Sequence, residues 1–278
     1  MTGTRIRMLL TLPLVLLGAA ACGPGDDTSG QGTGDDPPVM SSSVAGNDMI
    51  ELLASGEAVF GIFSGEHTPE GGRLMGANAE TDFVFYSLES GPFDIPAMEA
   101  YMAAMEEAAA GGAPPIALRI PPIRDDREAA VDHIRQGLEA GSSALVYPHV
   151  ESVADVALAT STVGDRLWPT NPDGDVLNVL LIEDQEGIAR ARDIVSAPGA
   201  GVVIPGPGDL RRAYEGDMQA VEGAIQTVLR ACKEFEVACG ITAGVDDVGM
   251  RIEQGFRFII VTEPEAIAVG KAAAGRAD

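Results

Sequence analysis

Short apolar runs of the kind that form β-strands alternate with helical patterns along most of this chain. Because the runs are nearly continuous in apolar residues, they are typical of strands buried on both faces of a parallel sheet. Eight strand-then-helix units in about 220 residues predict a (β/α)8 barrel of the TIM type. The runs lie at residues 59–63, 82–88, 115–120, 143–147, 176–182, 201–204, 237–241 and 256–261, and the helical patterns at 96–110, 127–140, 153–160, 185–195, 217–236, 246–254 and 263–274.

Composition and charge narrow the alternatives. A doubly wound open sheet is the rival fold, but no glycine-rich dinucleotide fingerprint follows any of the runs. With 46% hydrophobic and 22% charged residues the chain can bury a sizeable core. A formal net charge of −24 with 18 Lys and Arg repels phosphate backbones. We therefore expect no nucleic-acid partner and no polybasic contact with a membrane.

The first 21 residues have the pattern of an export signal. Arg5 and Arg7 precede an apolar run at 8–21, which is about the length of a signal core and short for a membrane span. Small residues at 18–21 stand directly before Cys22 and resemble the lipobox of bacterial lipoproteins. This predicts that Cys22 is lipidated, and that the chain is exported and membrane-anchored facing the periplasm, with the anchor as its only membrane contact. An ordinary secretory signal beside a free cysteine is the alternative.

The composition divides the rest of the chain into a linker and a barrel. Residues 22–48 are rich in Gly, Pro, Ser and Asp, which predicts a flexible tether, and residues 49–278 form the predicted barrel. Cys232 and Cys239 could pair in an oxidising compartment, or could be two separately buried thiols. The sequence does not choose between these states.

Polar residues follow several of the predicted strands at their carboxyl ends. In a (β/α)8 barrel these ends form the catalytic face, so side chains from different strands meet there. More polar groups are present than a barrel needs for stability. The residues concerned are His67, Glu89, Arg119, His149, Glu183 and Asp209.

Glu183 and Asp209 end two consecutive predicted strands. Two neighbouring carboxylates without a lysine beside them either raise each other's pKa or hold a hard divalent cation. We predict a site for Mg²⁺ or Mn²⁺, with Co²⁺ also suited to such ligands. The alternative is a solvated pair of acids at the rim that holds no metal.

Arg119 lies in an apolar strand and needs an anionic partner if it is buried. A substrate carboxylate would supply that partner, and a structural salt bridge to Glu89 or Glu183 is the alternative. A metal ion opposite an arginine is suited to binding a 2-oxo acid. The metal would polarise the keto group and so stabilise an enolate, and the arginine would hold the carboxylate. The chain's only lysines, Lys233 and Lys271, lie outside the predicted strands, which argues against a Schiff-base aldolase.

Several short motifs resemble those of one enzyme family. They are DFV at 82–84, ESGP at 89–92, LRIP at 118–121, PHV at 148–150, LIE at 181–183 and, most specifically, GPGDL at 206–210. Over residues 59–273 the chain resembles the HpcH/HpaI-type metal-dependent 2-oxo-acid aldolases, related to 4-hydroxy-2-oxoheptanedioate aldolase and more distantly to the citrate lyase β subunit. The resemblance implies a (β/α)8 barrel with a swapped terminal helix, a trimer or hexamer, and class II pyruvate-type aldolase activity.

The resemblance also implies roles for individual residues. Glu183 and Asp209 would be the metal ligands, Arg119 would bind the pyruvyl group, and the backbone around Gly208 would line the pocket. Three positions depart from the family pattern: Ser90 replaces a histidine base, Ser87 an aspartate, and Leu181 a glutamine that contacts substrate.

Two interpretations follow from these departures. In the first, His67 or His149 has taken over proton transfer, since imidazole titrates near neutral pH, although either could instead be a structural histidine of a loop or rim. The chain is then a divalent-metal-dependent carbon–carbon lyase of the class II aldolase type acting on a small 2-oxo acid. In the second, catalysis is lost and the lipid-anchored barrel binds a small carboxylate ligand.

Overall fold

A computed structural model describes residues 48–276. The predicted signal and tether, including Cys22, lie outside these residues apart from Asp48. All eight predicted strands are present, together with one further strand of two residues, β5. The strands are β1 Val59–Phe63, β2 Phe83–Ser87, β3 Ile116–Arg119, β4 Ala144–Tyr147, β5 Leu167–Trp168, β6 Val176–Ile182, β7 Val202–Pro205, β8 Ala238–Ala243 and β9 Phe258–Val261.

The sheet closes on itself. Every pairing is parallel, β1 pairs with both β2 and β9, and β4 pairs directly with β6. β5 adds to the start of β6, where Leu167 is opposite Val176, and takes no part in closure. Eight strands therefore form a closed parallel barrel with helices between them, which confirms the predicted (β/α)8 fold.

The helices match the predicted ones with four additions. Two helices, α1 and α2, precede the first one predicted, the segment at 185–195 is split at Arg190, and a short helix follows β7. The helices are α1 Asp48–Ala54, α2 Pro69–Gly76, α3 Ile95–Ala108, α4 Arg127–Glu139, α5 Val153–Val163, α6 Gln185–Ala189, α7 Ala191–Val195, α8 Pro207–Ala213, α9 Met218–Phe235, α10 Val248–Gln254 and α11 Glu265–Ala273.

Helix α2 escapes sequence analysis because three of its eight residues are glycine, a poor helix former. The structure shows why those glycines are needed. A Cβ at Gly72 would lie 2.2 Å from the carbonyl oxygen of Tyr101, and one at Gly76 would lie 2.1 Å from that of Met105. Close packing against α3 therefore outweighs the low helix propensity, and Thr68 caps the first turn by accepting a hydrogen bond from the Gly71 amide.

Two apolar cores are separated by the sheet. Alternate residues of each strand fill the barrel, and the others pack against the helices. Helix α1 belongs to the inner core through Met49, Ile50 and Leu53, so it lies against residues that fill the barrel. The same alternation places Arg119, the last residue of β3, and Glu183, the first residue after β6, on the inner side of the sheet.

The two remaining cysteines are buried as free thiols. Cys232 lies on α9 and Cys239 on β8, and each is at most 2% exposed. Of the two states that the sequence leaves open, the structure shows the unpaired one. Between residues 48 and 276 no helix has the length and apolar character needed to cross a bilayer.

Gly61 tests the packing inside the barrel. A Cβ at this position would lie 2.2 Å from the Phe83 ring on the neighbouring strand. We expect Gly61→Ala to lower the free energy of unfolding by about 1–3 kcal/mol, because overpacking forces ring or backbone shifts. Gly223→Ala is the matched control on α9, where no described atom lies within 4 Å of the added Cβ. This variant should raise the free energy of unfolding by up to about 1 kcal/mol, because alanine is the better helix former. Urea unfolding measures both, and equal effects would contradict the packing described.

Candidate active site at the carboxyl ends of the strands

Glu183 is the most deeply buried acid at the catalytic end of the barrel. It follows β6 and is 4% exposed, and its Oε2 accepts a hydrogen bond of 3.1 Å from the His149 backbone amide. Burial, and then the charge of Asp209, raise the pKa of Glu183 to about 7, while the His149 amide and Arg119 act in the opposite direction. A carboxyl group held in this way is costly to ionise, which is typical of a functional site.

The chain leaves room for this carboxylate at Gly206. A Cβ there would lie 2.6 Å from Glu183 Oε1, so any larger residue would displace the acid. The Gly206 amide donates to the Ile182 carbonyl at 3.0 Å, which fixes the two strand ends side by side. The first glycine of the GPGDL motif is therefore explained by its contact with the neighbouring strand.

Arg119 lies at the end of β3 with its guanidinium held on three sides. Its Nε donates to Ser87 Oγ at 2.9 Å, and its Nη2 lies 3.1 Å from Glu89 Oε2. The guanidinium carbon also lies 5.1 Å from the centre of the Phe85 ring. The salt bridge to Glu89 that the sequence allowed is thus present. Among the described residues Nη1 has no hydrogen-bond partner, so the arginine keeps donors for an anion.

Asp209 and Gly208 lie in the first turn of α8. The Asp209 carboxylate pairs with Arg212 one turn along and is about a quarter exposed. Its charge acts on Glu183, so the two predicted metal ligands are electrostatic neighbours. Nothing lies within 4 Å of the place where a Cβ of Gly208 would be, which leaves its backbone open. The ligand pair and the role of Gly208 stay predictions.

His149 follows β4 in an unusual backbone conformation. Its φ angle is 51°, in the left-handed region that residues other than Gly and Asn rarely adopt. The ring nitrogen Nδ1 is buried and has no hydrogen-bond partner within the described part of the chain. It lies 3.8 Å from Glu183 Oε2 and 3.8 Å from Asp184 Oδ2, too far for a hydrogen bond to either. The structure thus brings a predicted base directly beside a predicted metal ligand.

Glu89, His149 and Glu183 form a group that could hold a metal ion. Each offers one donor atom, and these atoms all lie within 4.8 Å of one another. The sequence predicts Glu183 as a ligand, Glu89 only as a partner for Arg119, and His149 only as a base. The orphaned Nδ1 and the raised pKa of Glu183 both fit a site that a cation would complete.

His67, the other predicted base, has different surroundings. Its Nε2 lies 3.0 Å from Ser64 Oγ, and its ring stacks on Tyr86 with 3.9 Å between the ring centres. Tyr86 belongs to the core between sheet and helices, and burial lowers the pKa of His67. The contacts of His67 are therefore with this layer rather than with Arg119 or Glu183, and its catalytic role stays a prediction.

The positions that depart from the family pattern differ in their surroundings. Ser87 accepts the hydrogen bond from Arg119, so it supports the guanidinium although it cannot carry a charge. Leu181 is buried inside the barrel, on the same side of β6 as Glu183. Ser90 is exposed. None of the three supplies a group that can accept a proton at neutral pH.

A salt-bridge network that sequence analysis missed surrounds the site. Arg124, in the loop after β3, pairs with Glu151 after β4 and with Asp184 after β6, the latter at 3.0 Å. Burial and a hydrogen bond with Asp184 raise the pKa of Glu151. Three strand-end loops are thereby tied together beside His149. Only the concentration of charged residues after strand ends could have indicated it.

The pKa of Glu183 predicts how the stability of the metal-free protein depends on pH. A folded-state pKa of about 7, above the ordinary 4.5, means that this group stabilises the fold below its ordinary pKa and that the contribution is lost as pH rises through 7. We expect Glu183→Gln to be more stable than the parent by roughly 3 kcal/mol at pH 8 in EDTA, with the difference vanishing near pH 4. Urea unfolding at each pH measures it.

Excess Mn²⁺ is the control for that experiment. An ion that binds the native carboxylate stabilises the parent chain and not the variant, so the order of stability at pH 8 should reverse. A difference between the two proteins that is the same at every pH would show that Glu183 ionises normally.

Comparison with known proteins agrees with this geometry. The model of the HpcH/HpaI aldolase/citrate lyase family matches residues 75–262. A hydroxypyruvate/pyruvate aldolase of Delftia acidovorans is 24% identical over 241 residues, which cover 77% of this chain and 86% of that protein.

Solved structures show the same fold. An HpcH/HpaI aldolase/citrate lyase family protein from Burkholderia cenocepacia is 21% identical with a TM-score of 0.68, covering 81% of this chain and 96% of its own. The citrate lyase β subunit of M. tuberculosis, solved with oxaloacetate and magnesium, is 20% identical with a TM-score of 0.57. The match covers 78% of this chain and 97% of that subunit. The family model matches about two thirds of the chain, so this chain belongs to the HpcH/HpaI aldolase/citrate lyase family. The family and the named relative support lyase activity for it.

Proposed function

We propose that this chain is a divalent-metal-dependent carbon–carbon lyase of the class II aldolase type, which acts on a 2-oxo acid through an enolate. One observation carries the proposal: the buried Glu183 carboxyl, whose pKa is raised to about 7, shares its surroundings with Asp209 and Arg119. The named relative is a hydroxypyruvate/pyruvate aldolase, which makes pyruvate the first substrate to test.

Arg119 is the proposed anchor of the substrate. Ser87 and Glu89 fix its guanidinium, and its free Nη1 donors can bind the carboxylate or the oxygen on which negative charge develops. Fixing the arginine before substrate arrives reduces the entropy that binding would otherwise cost. The same contacts hold the guanidinium on the inner side of the barrel.

Glu183 and Asp209 are the proposed ligands of the divalent ion, which is Mg²⁺, Mn²⁺ or Co²⁺. When bound, such an ion supplies Lewis-acid polarisation of a keto oxygen. The residues present fit this role, because the charge of Asp209 makes Glu183 costlier to ionise and a bound cation would lower that cost. Neither acid is paired with a lysine.

Proton transfer needs an acceptor close to these groups. His67 contacts the helix layer, and the exposed Ser90 has no basic group at neutral pH. Glu89 lies beside Arg119, and His149 lies beside Glu183. The proton taken from carbon 3 of the substrate therefore goes to one of these two side chains. The comparisons give no support to the alternative of a non-catalytic carboxylate-binding barrel.

Cellular location and assembly are separate proposals. An export signal and a lipid anchor at Cys22 rest on residues outside the described part of the chain, and a trimer or hexamer rests on family resemblance alone. Metabolic labelling with a fatty acid, lost in Cys22→Ser, tests the anchor. Light scattering of the purified protein tests the assembly.

Deuterium exchange at the methyl group of pyruvate tests enolate formation directly. With Mg²⁺ or Mn²⁺ the purified chain should exchange these protons for deuterium. Asp209→Asn should lower the exchange rate by about 100-fold, because loss of a charged ligand weakens binding of the metal ion. Glu253→Gln, an exposed acid on α10, is the control and should exchange at the parent rate. Intact metal binding without exchange would favour the non-catalytic carboxylate binder.

Arg119→Lys tests the anion site. Lysine keeps the charge but loses the planar fork of donors and the hydrogen bond to Ser87, so kcat/KM for exchange should fall by roughly 100-fold. Affinity for the metal alone should change little, since Arg119 is not a proposed ligand. A variant with parent kinetics would remove Arg119 from the substrate site.

A further inference from the structure

The ring nitrogen Nδ1 of His149 has unusual surroundings. This nitrogen is buried and finds no hydrogen-bond partner among residues 48–276, yet two carboxylate oxygens lie 3.8 Å away. At 3.8 Å Nδ1 is too far from either oxygen for a hydrogen bond, whereas a cation among the three atoms could contact all of them. Because metal bonds to nitrogen and oxygen are about 2.1 Å long, one ion can contact donors up to about 4.2 Å apart.

The backbone holds His149 in this place at a cost. A left-handed conformation is unfavourable for histidine, and it is retained here with the amide of the same residue donating to Glu183 Oε2. The residue thus fixes one oxygen of Glu183 through its amide and faces the same oxygen with its ring. Backbone and side chain of His149 are therefore both held close to the Glu183 carboxylate.

We propose that His149 Nδ1 ligates the divalent ion together with Glu183, and that this nitrogen makes the chain favour later transition ions such as Co²⁺ over Mg²⁺. Nitrogen donors raise affinity along the first transition series, whereas Mg²⁺ prefers oxygen ligands alone. This inference rests on the proposed function and adds a ligand type that carboxylates do not supply.

The assignment also decides which side chain accepts the substrate proton. A metal-bound imidazole has no lone pair free on the bound nitrogen, so His149 cannot serve as the base there. Glu89, whose Oε2 lies 3.1 Å from Arg119 Nη2, is the remaining carboxylate beside the anion site. It would accept the proton from carbon 3.

Matched variants separate the ligand from its surroundings. His149→Asn removes the imidazole but keeps a residue that tolerates the left-handed backbone, so the amide bond to Glu183 should survive. His149→Gly is the second variant, without any side chain at a φ that glycine adopts freely. His133→Gln is the control, because it removes a histidine of helix α4 that stacks on Phe93.

The experiment loads the purified full chain with Co²⁺ and records its proton NMR spectrum, with calorimetry for Co²⁺ and Mg²⁺. We expect a strongly shifted exchangeable N–H resonance of a metal-bound imidazole in the parent and in His133→Gln, and its loss in both His149 variants. The Co²⁺ dissociation constant should rise by about tenfold or more in His149→Asn, with a smaller change for Mg²⁺.

Three other outcomes overturn the proposal, and they can be distinguished from one another. Suppose that Co²⁺ binds the parent chain and not Glu183→Gln, but that the spectrum of the parent contains no shifted imidazole resonance. Then His149 is not a ligand, and the proposed lyase function stands. If neither ion binds the parent chain, both this inference and the metal-dependent function fail. An unchanged preference between Co²⁺ and Mg²⁺ in His149→Asn would also exclude the ligand role.

Discussion

The catalytic end of the barrel is organised around one unfavourable burial, that of the Glu183 carboxyl. A closed parallel sheet directs this side chain inward, and Gly206, directly after the neighbouring strand β7, leaves the space that it occupies. The amide of His149 and the charge of Arg119 offset part of the cost, while Asp209 adds to it. The remaining cost of ionising Glu183 would be offset by binding of a cation.

Neighbouring groups are arranged so that each restrains another. Arg119 is fixed by Ser87 and Glu89, and His149 is fixed by a strained backbone and by its amide bond to Glu183. Outside this shell Arg124 joins Glu151 and Asp184, which lie on the loops next to His149. A site supported in this way keeps its geometry before substrate arrives, which is what a reaction through a charged intermediate requires.

Much of this could be predicted from the sequence because buried parallel strands produce continuous apolar runs. Once eight such runs are counted, barrel topology alone places Arg119, Glu183 and Asp209 at one end. Helix α2 could not be predicted in this way, since its glycines are explained only by contact with the backbone of α3. β5 has two residues, too few for any periodic signal.

The finer features of the site depend on contacts between distant segments. No local sequence pattern encodes the left-handed backbone of His149 or, within the described residues, the lack of a hydrogen-bond partner for its Nδ1. The same holds for the salt bridge of Arg119 with Glu89. His67 shows the same limit, because a histidine after a strand can face the helices as readily as the barrel mouth. Its stacking on Tyr86 became visible only in three dimensions.

The central claim is that Glu183 and Asp209 hold a divalent ion opposite Arg119. A crystal structure of the chain with Mn²⁺ and pyruvate, using the anomalous signal of manganese, tests it most directly. We expect an anomalous peak within bonding distance of carboxylate oxygens of both acids, with the pyruvate carboxylate or keto oxygen on the Arg119 guanidinium. Manganese bound away from Glu183, or pyruvate bound without contact to Arg119, would contradict it.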